Sequence, residues 1–397
     1  MKTRVKLVIT AVIFFLFTVS CTKTKISEKV EWTGEIEYKN GVKVVKNPAE
    51  PVYGEILLDL EEDLSVGRED DDNYLFYRVR DIEVDDHGNL YVLESGNCRL
   101  QKFDADGQYL QTIGKKGQGP GEFERPSQLF LSEENIYVSE YRKLHIFSRK
   151  GEFIRSILLS DFTTDFSISS DKSIFGIATI RTDVEPKQCI IKLDPKGKMI
   201  KNIAQFDYPK PVQRKATDGT TMAFALGHQY NSDLCFSQAV NNKHIYAYSS
   251  EYSLFQVNLE GDLELIIKKE EPTHSISQKE KNKIYERFSD LEKKWPKGVV
   301  KEAVQFPPHR PYFNRIVTDE RGRIYVSRLK PVTDESDETE FDIFSKEGYY
   351  LYKTNLPFTP EVIKNGYFYD HYSSEETGEV KIKRYKVKNW DQIAEGI

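Results

Sequence analysis

The chain has 397 residues and a formal net charge of −6, and its 57 basic and 63 acidic side chains are spread along the whole length. This mixture excludes the concentrated basic stripe that nucleic-acid binding requires, so we expect no nucleic-acid partner. The four cysteines show no CxxC spacing and one of them ends an apolar leader, so the remaining three, Cys98, Cys189 and Cys235, imply no complete disulfide framework or zinc site and are predicted to be buried or half-buried single thiols.

The first twenty residues have the features of a secretion signal. Three basic residues precede an apolar run over residues 7–19. That run is too short to cross a membrane, which needs about twenty residues, but it has the length of a signal core. Residues 1–20 are therefore predicted to be a signal peptide and no part of the fold.

The leader ends in the sequence TVSC at residues 18–21, which resembles the lipobox of bacterial lipoproteins. The resemblance implies that Cys21 becomes the mature N-terminus and is diacylated at its sulfur, which would anchor the protein stably to a membrane. Thr22 follows where inner-membrane retention would need aspartate, so the outer membrane is the expected location. The alternative is an ordinary cleaved signal followed by a chance cysteine. Residues 21–34 are polar and are predicted to be a tether.

From residue 35 onward the chain consists of short alternating strands separated by turns. The clearest unit covers residues 81–113, in which apolar residues at every second position are interrupted by DDHGN, SGN and DADG turns. Four strands of this length cannot bury both faces alone, so copies must stack. Weaker copies follow around Tyr137, Phe175, Tyr246, Tyr325 and Phe368. We predict an all-β fold over residues 35–390, a six-bladed β-propeller of four-stranded antiparallel blades.

Two early segments, residues 35–45 and 55–60, have strand character but no repeat of their own. The last repeat, in turn, lacks an obvious fourth strand. Because a propeller has to close into a ring, one of these early strands is predicted to complete the last blade.

Two of the steps between repeats are much longer than a blade needs. The first contains residues 204–233, which show no strand pattern and are predicted to be a long loop rather than a seventh blade. The second contains one helical insertion at residues 277–295, in which Ser277 and Glu280 form a capping box and apolar residues recur at helical spacing. Long insertions in compact domains are often functional, so a site is expected there.

Two patterns imitate ligand sites. Residues 114–123 are glycine-rich, but the spacing is not GxGxxG, Pro120 has no N–H to offer a phosphate, and no helix follows. The aspartates at 85, 86, 104 and 106 fall short of a calcium loop. We interpret the first as a connection between blades and the others as hairpin turns.

The sequences GNLYV at 88–92, NCRLQKF at 97–103 and GQGPGEF at 117–123 resemble NHL repeats. The whole chain is similar to bacterial six-bladed β-propeller lipoproteins that carry such repeats, most clearly over residues 78–157. This resemblance implies the fold far more than a function.

No catalytic motif such as HExxH or GxSxG occurs, so no catalytic residue, metal ligand or cofactor is assigned. Polar residues in or near loops that could reach one propeller face are the candidates for ligand binding. These are Arg142, His228, Tyr230, His309, Arg310 and Arg315.

Two functions remain. The first is a non-enzymatic binding or scaffold lipoprotein that holds a protein, peptide or glycan at the bacterial envelope. The alternative is an envelope lyase or hydrolase with a divalent metal on the propeller axis, as in some NHL-type propellers. Polar residues converging on the axis from several blades would favour the enzyme, and an apolar axis would favour the binding protein.

Overall fold

The computed structural model describes residues 31–160, 163–180, 186–208, 212–215, 221–224, 226–374 and 377–397. The predicted signal peptide, Cys21 and most of the predicted tether lie outside these ranges. Within them, no helix has both the length and the apolar character that a membrane crossing requires.

Three strands precede the first blade: β1 (Glu35–Lys39), β2 (Val42–Asn47) and β3 (Leu60–Val66). Blade 1 consists of β4 (Val79–Val84), β5 (Leu90–Glu94), β6 (Arg99–Phe103) and β7 (Tyr109–Ile113). Blade 2 consists of β8 (Gln128–Leu131), β9 (Asn135–Glu140), β10 (Lys143–Ser148) and β11 (Phe153–Leu158). Blade 3 consists of β12 (Thr163–Ile168), β13 (Ile174–Ile180), β14 (Lys187–Leu193) and β15 (Met199–Asp207). Consecutive strands within each blade are antiparallel neighbours.

A two-stranded ribbon follows, formed by β16 (Val212–Lys215) and β17 (Thr221–Phe224). Blade 4 contains β18 (Leu234–Ala239), β19 (Lys243–Tyr248), β20 (Ser253–Val257) and β21 (Leu263–Lys269), and three helices come next: α1 (Gln278–Glu286), α2 (Ser289–Glu292) and α3 (Val299–Ala303). Blade 5 contains β22 (Phe313–Thr318), β23 (Ile324–Arg328), β24 (Thr339–Phe344) and β25 (Tyr350–Leu356). Blade 6 contains β26 (Val362–Lys364), β27 (Tyr367–Ser373) and β28 (Val380–Val387). The predicted six-bladed propeller is confirmed.

The ring is closed by β3, which pairs antiparallel with β28 and is the outermost strand of blade 6. Leu64 lies opposite Arg384 and Val66 lies opposite Ile382. Closure by a strand that precedes the first blade is confirmed, but neither predicted segment supplies it. β3 begins at Leu60, where the second candidate ended.

The predicted hairpin forms β1 and β2, but it extends a different blade. β2 pairs parallel with β21, so the sheet of blade 4 has six strands with β1 at its edge. Asn47, at the end of β2, is 1% exposed. Its side-chain amide donates to the carbonyl oxygen of Gly348 at 2.8 Å, and its carbonyl oxygen accepts the N–H of Tyr350 at 2.8 Å. The hairpin therefore joins blades 4 and 5.

Trp32 belongs to the packed part of the chain. Its indole N–H donates to the side chain of Asn47 at 3.1 Å, and its ring lies edge-on to Tyr349 with a centroid distance of 5.1 Å. The folded region thus begins before residue 34, where the tether was predicted to end.

The glycine in the turn between the third and fourth strands of a blade packs onto the preceding blade. Gly107 has φ +76°, and a Cβ on it would lie 2.9 Å from side-chain atoms of both Leu64 and Val66 in β3. Gly348 approaches Ile267 of blade 4 in the same way. A side chain at these positions would separate neighbouring blades, which explains why glycine recurs there in the repeats.

The patterns that imitate ligand sites have the predicted structural roles. Asp85 accepts the backbone N–H groups of His87 and Asn89 in its own turn, at 3.0 and 2.9 Å. Asp104 does the same in the next hairpin. Residues 114–123 connect β7 to β8, and Phe123 is fully buried in the apolar cluster shared by blades 1 and 2. The predicted single thiols are also buried, at Cys98, Cys189 and Cys235.

Both insertions contain more structure than predicted. The capping box of Ser277 and Glu280 opens α1, but the helix ends at Glu286 and does not continue to residue 295. The N–H groups of Arg287 and Phe288 bond to carbonyls three residues earlier, which tightens the last turn and breaks the helix. Residues 204–233 form no seventh blade within the described ranges, as predicted, but they contain β16 and β17 rather than loop alone.

A charged network is buried between blades 4 and 5. Asp342 is fully buried, and its carboxylate accepts from the ammonium of Lys269 at 3.0 Å and from the guanidinium of Arg328 at 3.1 Å. The hydroxyls of Tyr252 and Tyr350 also donate to it. Such a charge is tolerated in the interior only because each of its oxygens is paired.

Glu271 completes this network. Its carboxylate accepts from Arg328 at 2.6 Å and from Lys269 at 2.9 Å. Burial alone would raise the pKa of Glu271, but the hydrogen bonds from Arg328 and Lys269 outweigh it and lower the pKa to about 2. Two cations and two carboxylates therefore balance each other where the second insertion begins.

Candidate functional site: an acidic cavity on the propeller axis

The first strand of each blade lines the propeller axis. β4, β8, β12, β18, β22 and β26 are neighbours in turn, and β26 returns to β4. A cavity of about 680 Å³ lies between them. It extends to the turns that join the first and second strands of blades 2 to 5, because residues of those turns line it.

The cavity is strongly acidic. Its two lysines are each paired with a carboxylate, Lys172 with Glu134 at 2.9 Å and Lys364 with Asp86 at 2.7 Å. Several lining carboxylates have no lysine or arginine within 4 Å among the described residues. They are Asp81, Glu83, Glu133, Asp165, Glu320 and Glu361.

Blade 2 holds the carboxylates of its two neighbours. Asp81 of β4 accepts the backbone N–H of Leu129 at 2.8 Å, and Asp165 of β12 accepts the side-chain amide of Gln128 at 2.7 Å. The carbonyl oxygen of Gln128 is itself buried and accepts no hydrogen bond from any residue in the described part of the chain. Around Asp81, Gln128 and Asp165, the cavity wall therefore offers more hydrogen-bond acceptors than donors.

Blade 6 adds a histidine and two carboxylates. Nδ1 of His371 is hydrogen-bonded to Glu361, and this bond raises the pKa of His371. Glu361, Asp370 and His371 each offer one ligand atom, and these atoms lie within 4.8 Å of one another. Carboxylate and imidazole groups in this arrangement could hold a divalent metal ion.

Burial and neighbouring charges change the pKa values of these acidic side chains. Burial raises the pKa of Asp81 well above its usual range, and the charge of Glu83 adds to this. Burial also raises the pKa of Glu83 to about 7 and, with the charge of Glu361, the pKa of Asp370 to about 6. Arg315 of β22 acts in the opposite direction on Asp81 and Asp370. Its charge offsets part of the acidity of these two groups.

We expect the substitution Glu83→Gln to stabilise the domain increasingly as the pH rises. A carboxyl whose pKa is raised from 4.5 to about 7 on folding stabilises the folded state fully below pH 4.5, and this contribution is lost as the pH rises through 7. Asp81 on the same strand, Lys364 of β26 and Arg149 of blade 2 face this group. The variant should gain up to about 3 kcal/mol relative to wild type at pH 8, and much less at pH 5.

Thermal melts of both proteins between pH 5 and 8 measure this difference. Comparing the two chains cancels the contributions of the buried histidines, which titrate in the same range. A difference in Tm that stays constant or shrinks with rising pH would show that Glu83 ionises freely in the folded protein.

Of the six predicted ligand-binding residues, Arg315 is the one that the structure places at the axis. Arg142 lies in the turn between β9 and β10, where its guanidinium donates to the carbonyls of Leu159 at 3.1 Å and of Ser160. This contact holds the backbone between blades 2 and 3.

The other four predicted residues belong to a separate unit formed by the two insertions, which we call the cap. Tyr230 is fully buried in it; its hydroxyl donates to Glu280 and accepts the N–H of Val332 at 2.8 Å. Arg310 lies 3.5 Å from Glu280. Because Tyr230 is inaccessible and its hydroxyl is satisfied, the prediction that it contacts a ligand is wrong.

The two histidines have packing roles in the same unit. Nδ1 of His228 accepts the N–H of Tyr230 at 3.1 Å, so its Nε2–H donates to the carbonyl of Gln305 at 3.0 Å. His309 packs against Tyr312 with a centroid distance of 5.4 Å. These contacts give both histidines a structural role in the cap.

The cap consists of β16, β17, the segment at 226–232, the three helices and the loop at 329–338. One apolar cluster joins the segment at 226–232, α1, α3 and the loop through the buried residues Tyr230, Ile284, Val300, Val304 and Val332. In a second cluster, Phe224 of β17 packs with Val299 and Ala303 of α3. Both insertions lead into the start of a first strand, whereas the turns that line the cavity lie where first strands end. The cap and those turns are therefore at opposite ends of the axis.

The carboxylates at the axis were missed in the sequence. Asp81 and Glu83 alternate with Ile82 and Val84 in the first strand of their blade, so their side chains had to point away from the blade core. Because the first strand of each blade lines the axis, these side chains face the axial cavity. Charged residues at this alternating position were the signal that could have identified the cavity.

Six four-stranded blades around a polar axis define the protein as a six-bladed β-propeller. Residues 69–347 match DUF5128, described as a 6-bladed beta-propeller, and the chain belongs to this family. No curated protein matches the chain.

Three solved structures are similar in fold. One is a protein of Bacteroides fragilis that is described as exported. It is 12% identical, has a TM-score of 0.52, and the match covers 87% of this chain and 99% of that chain. A DUF4221 member from Bacteroides vulgatus is 11% identical, with a TM-score of 0.45 over 83% and 98%. A virginiamycin B lyase from Staphylococcus aureus is 10% identical, with a TM-score of 0.39 over 83% and 99%. The first of these likenesses shows a shared fold, and at this identity it transfers no activity.

Proposed function

We propose that the chain is a non-enzymatic binding lipoprotein of the bacterial envelope, which holds a protein, peptide or glycan in its axial cavity. The observation that carries this proposal is the cavity itself. Its volume of about 680 Å³ is within the range of pockets that bind small ligands, about 300–1,000 Å³, so it has room for one segment of a peptide or glycan. Polar groups from several blades meet apolar side chains in its walls, which suits specific recognition.

The serine and histidine groups beside the cavity support binding rather than hydrolysis. Ser167 and Ser169 each lie 3.0 Å from a ring nitrogen of His244, but their side chains are only 2% and 4% exposed. His244 is stacked on Phe175, and burial lowers the pKa of His244 to about 3. A base this weak cannot activate a serine at neutral pH, which argues against hydrolysis by this group of side chains.

Photo-crosslinking in intact cells tests the location of the binding site. A photoreactive amino acid at Glu133, an exposed position in a cavity-lining turn, is expected to capture a discrete envelope component. The same probe at Glu292, exposed on the cap at the opposite end, serves as control. Capture at Glu292 with none at Glu133 would place the binding site on the cap and overturn the axial assignment.

Anchoring through Cys21 to the outer membrane is part of this proposal and is supported by the lipobox-like sequence that precedes it. Mass spectrometry of the mature N-terminal peptide is expected to show Cys21 with two acyl chains on its sulfur-linked glycerol. An unmodified N-terminal peptide would refute lipidation without affecting the binding site.

A second function, an envelope lyase or hydrolase with an axial metal, is favoured by one observation. Carboxylates of blades 1, 3 and 6 converge on the axis, and Glu361, Asp370 and His371 lie within mutual ligand distance. These side chains fit a divalent ion, provided that His371 exchanges its hydrogen bond with Glu361 for the metal. The metal would supply Lewis-acid activation of a substrate oxygen.

Metal analysis of the purified mature protein, with thermal melts in the presence and absence of chelator, separates the two functions. A stoichiometric metal that is lost in His371→Asn, together with a lower Tm in chelator, would favour the enzyme, and lactones and glycans would then be assayed. A metal-free protein whose Tm is unaffected by chelator would favour the binding protein.

A further inference from the structure

We infer that the occupant of the axial cavity carries a positive charge at the end of an apolar stem, as in a lysine or arginine side chain or an alkylamine. The inference rests on the proposed binding function and names the chemistry of its ligand. It is carried by the unused hydrogen-bond acceptors of the cavity, by the fixed positions of its lysines and by its apolar walls.

One acceptor in the cavity lacks a partner, and a second has no partner side chain. The half-buried carboxylate of Glu83 accepts the backbone N–H of Val84 but has no hydrogen bond or ion pair from another side chain in the described part of the chain, although it lines the cavity. The carbonyl oxygen of Gln128 is buried and accepts no hydrogen bond there. An unpaired buried acceptor destabilises the empty protein, and a ligand that donates hydrogen bonds removes this cost.

The neighbouring carboxylates have spare capacity for the same ligand. Asp81 and Asp165 each accept a hydrogen bond across a blade boundary, at 2.8 and 2.7 Å. A carboxylate offers about four acceptor sites, so both can accept further donors. Lys172 and Lys364 are ion-paired with Glu134 and Asp86, and Arg315 acts on Asp81 and Asp165 through its charge alone. None of these three cations is hydrogen-bonded to Asp81, Glu83 or Asp165 in the described part of the chain.

The walls of the cavity distinguish an organic cation from a metal ion. Apolar side chains line it beside the carboxylates, including Phe130, Phe236, Val317 and Ile363. A lysine side chain places four methylene groups against such walls while its ammonium reaches the acceptors. A metal ion alone would leave these walls and most of the 680 Å³ unused.

Isothermal titration of the full mature protein in detergent tests the inference. The probes are the peptides Gly-Lys-Gly, Gly-Nle-Gly and Gly-Glu-Gly with blocked ends, and free spermidine. The lysine peptide should bind with an affinity that falls as salt is added, because charge attraction drives it. The norleucine peptide has the same stem without the charge and should bind at least tenfold more weakly.

Spermidine distinguishes the two sources of the cation. Tighter binding of spermidine than of the lysine peptide would identify a free amine, and tighter binding of the lysine peptide would identify a peptide segment.

The variant Glu83→Gln should weaken binding of the lysine peptide at least tenfold, while Glu292→Gln, which removes the same charge on the cap, should leave it unchanged. Circular dichroism confirms that both variants are folded. Equal binding of the three peptides, no binding of any cation, or full affinity in Glu83→Gln would each overturn the inference. A neutral glycan that binds wild type and Glu83→Gln alike, with photo-capture still at Glu133, would leave the binding function standing and only the cation assignment wrong.

Discussion

Deletion of residues 31–66 is expected to abolish cooperative unfolding of the domain. This deletion removes β3, so β28 loses its outer neighbour and blade 6 keeps three strands with an unpaired edge. It also removes Val66, which is buried in the apolar cluster shared by blades 6 and 1. Since closure is what holds the first blade to the last, the remaining chain should lose its sharp thermal transition and become sensitive to protease.

Deletion of residues 31–41 is the matched control. It removes β1, which pairs with β2 alone, and leaves β2 in place beside β21. This shorter variant should still melt cooperatively, with a Tm lowered by only a few degrees. If the longer deletion melts as sharply as the shorter one, β3 is not needed for closure.

A disulfide across the closure tests the same idea in the stabilising direction. Ser65 lies opposite Lys383 in the ladder between β3 and β28, so the double variant Ser65→Cys/Lys383→Cys places two thiols on paired strands. Oxidation should raise stability by up to about 4 kcal/mol, because the crosslink joins distant parts of the unfolded chain. The gain should disappear in reductant. A gain that persists in reductant would mean that the substitutions, and not the crosslink, stabilise the protein.

Asp342→Asn is expected to cost about 3–5 kcal/mol of unfolding free energy, the range for breaking a buried ion network. The variant leaves Lys269, whose side chain is 1% exposed, and Arg328 with Glu271 as the remaining carboxylate of the network. It also removes a carboxylate oxygen from the hydroxyls of Tyr252 and Tyr350. Denaturation in urea measures the loss.

Two further variants identify the cause. Asp337→Asn removes the same charge from an exposed loop and should change stability by less than about 0.5 kcal/mol. Adding Lys269→Met to Asp342→Asn restores the charge balance of the network, so the double variant should be more stable than the single one. A loss below about 1 kcal/mol in Asp342→Asn, or no recovery in the double variant, would show that the buried charges are not coupled.

The repeats were predictable because each blade is a local structure. Alternating apolar residues and glycine turns specify four short strands without reference to the rest of the chain, and the recurring turn glycine, as at Gly107, marks contact with the preceding blade. The closing strand was predictable for a different reason, since a ring of blades needs one strand that the last repeat does not supply.

The pairing of β2 with β21 was not predictable, because nothing in a hairpin sequence identifies a parallel partner more than two hundred residues away. The cap was missed for a similar reason. Its core joins residues from two insertions and a third loop, and no segment's own sequence identifies the others as its packing partners. Tyr230 was therefore mistaken for a surface residue.

The axial site illustrates the same limit. Asp81, Asp165 and Glu361 lie in three different repeats, and each is an ordinary polar residue of a strand or its flank. Only the closure of the ring brings them to one axis. The sequence supplied the residues, and the circular topology created the site.

The pairing of β3 with β28 also fixes an order of events during synthesis. β3 is made before any blade, and its partner is made last, more than three hundred residues later. Until then β3 has no place in a sheet, and the nascent chain carries an unsatisfied strand at its leading end. The ring can therefore close only after β28 has been made, and such long-range pairing is intrinsically slow. A ribosome stalled before β28 would present a chain of five blades that cannot complete its fold, a state exposed to aggregation and proteolysis.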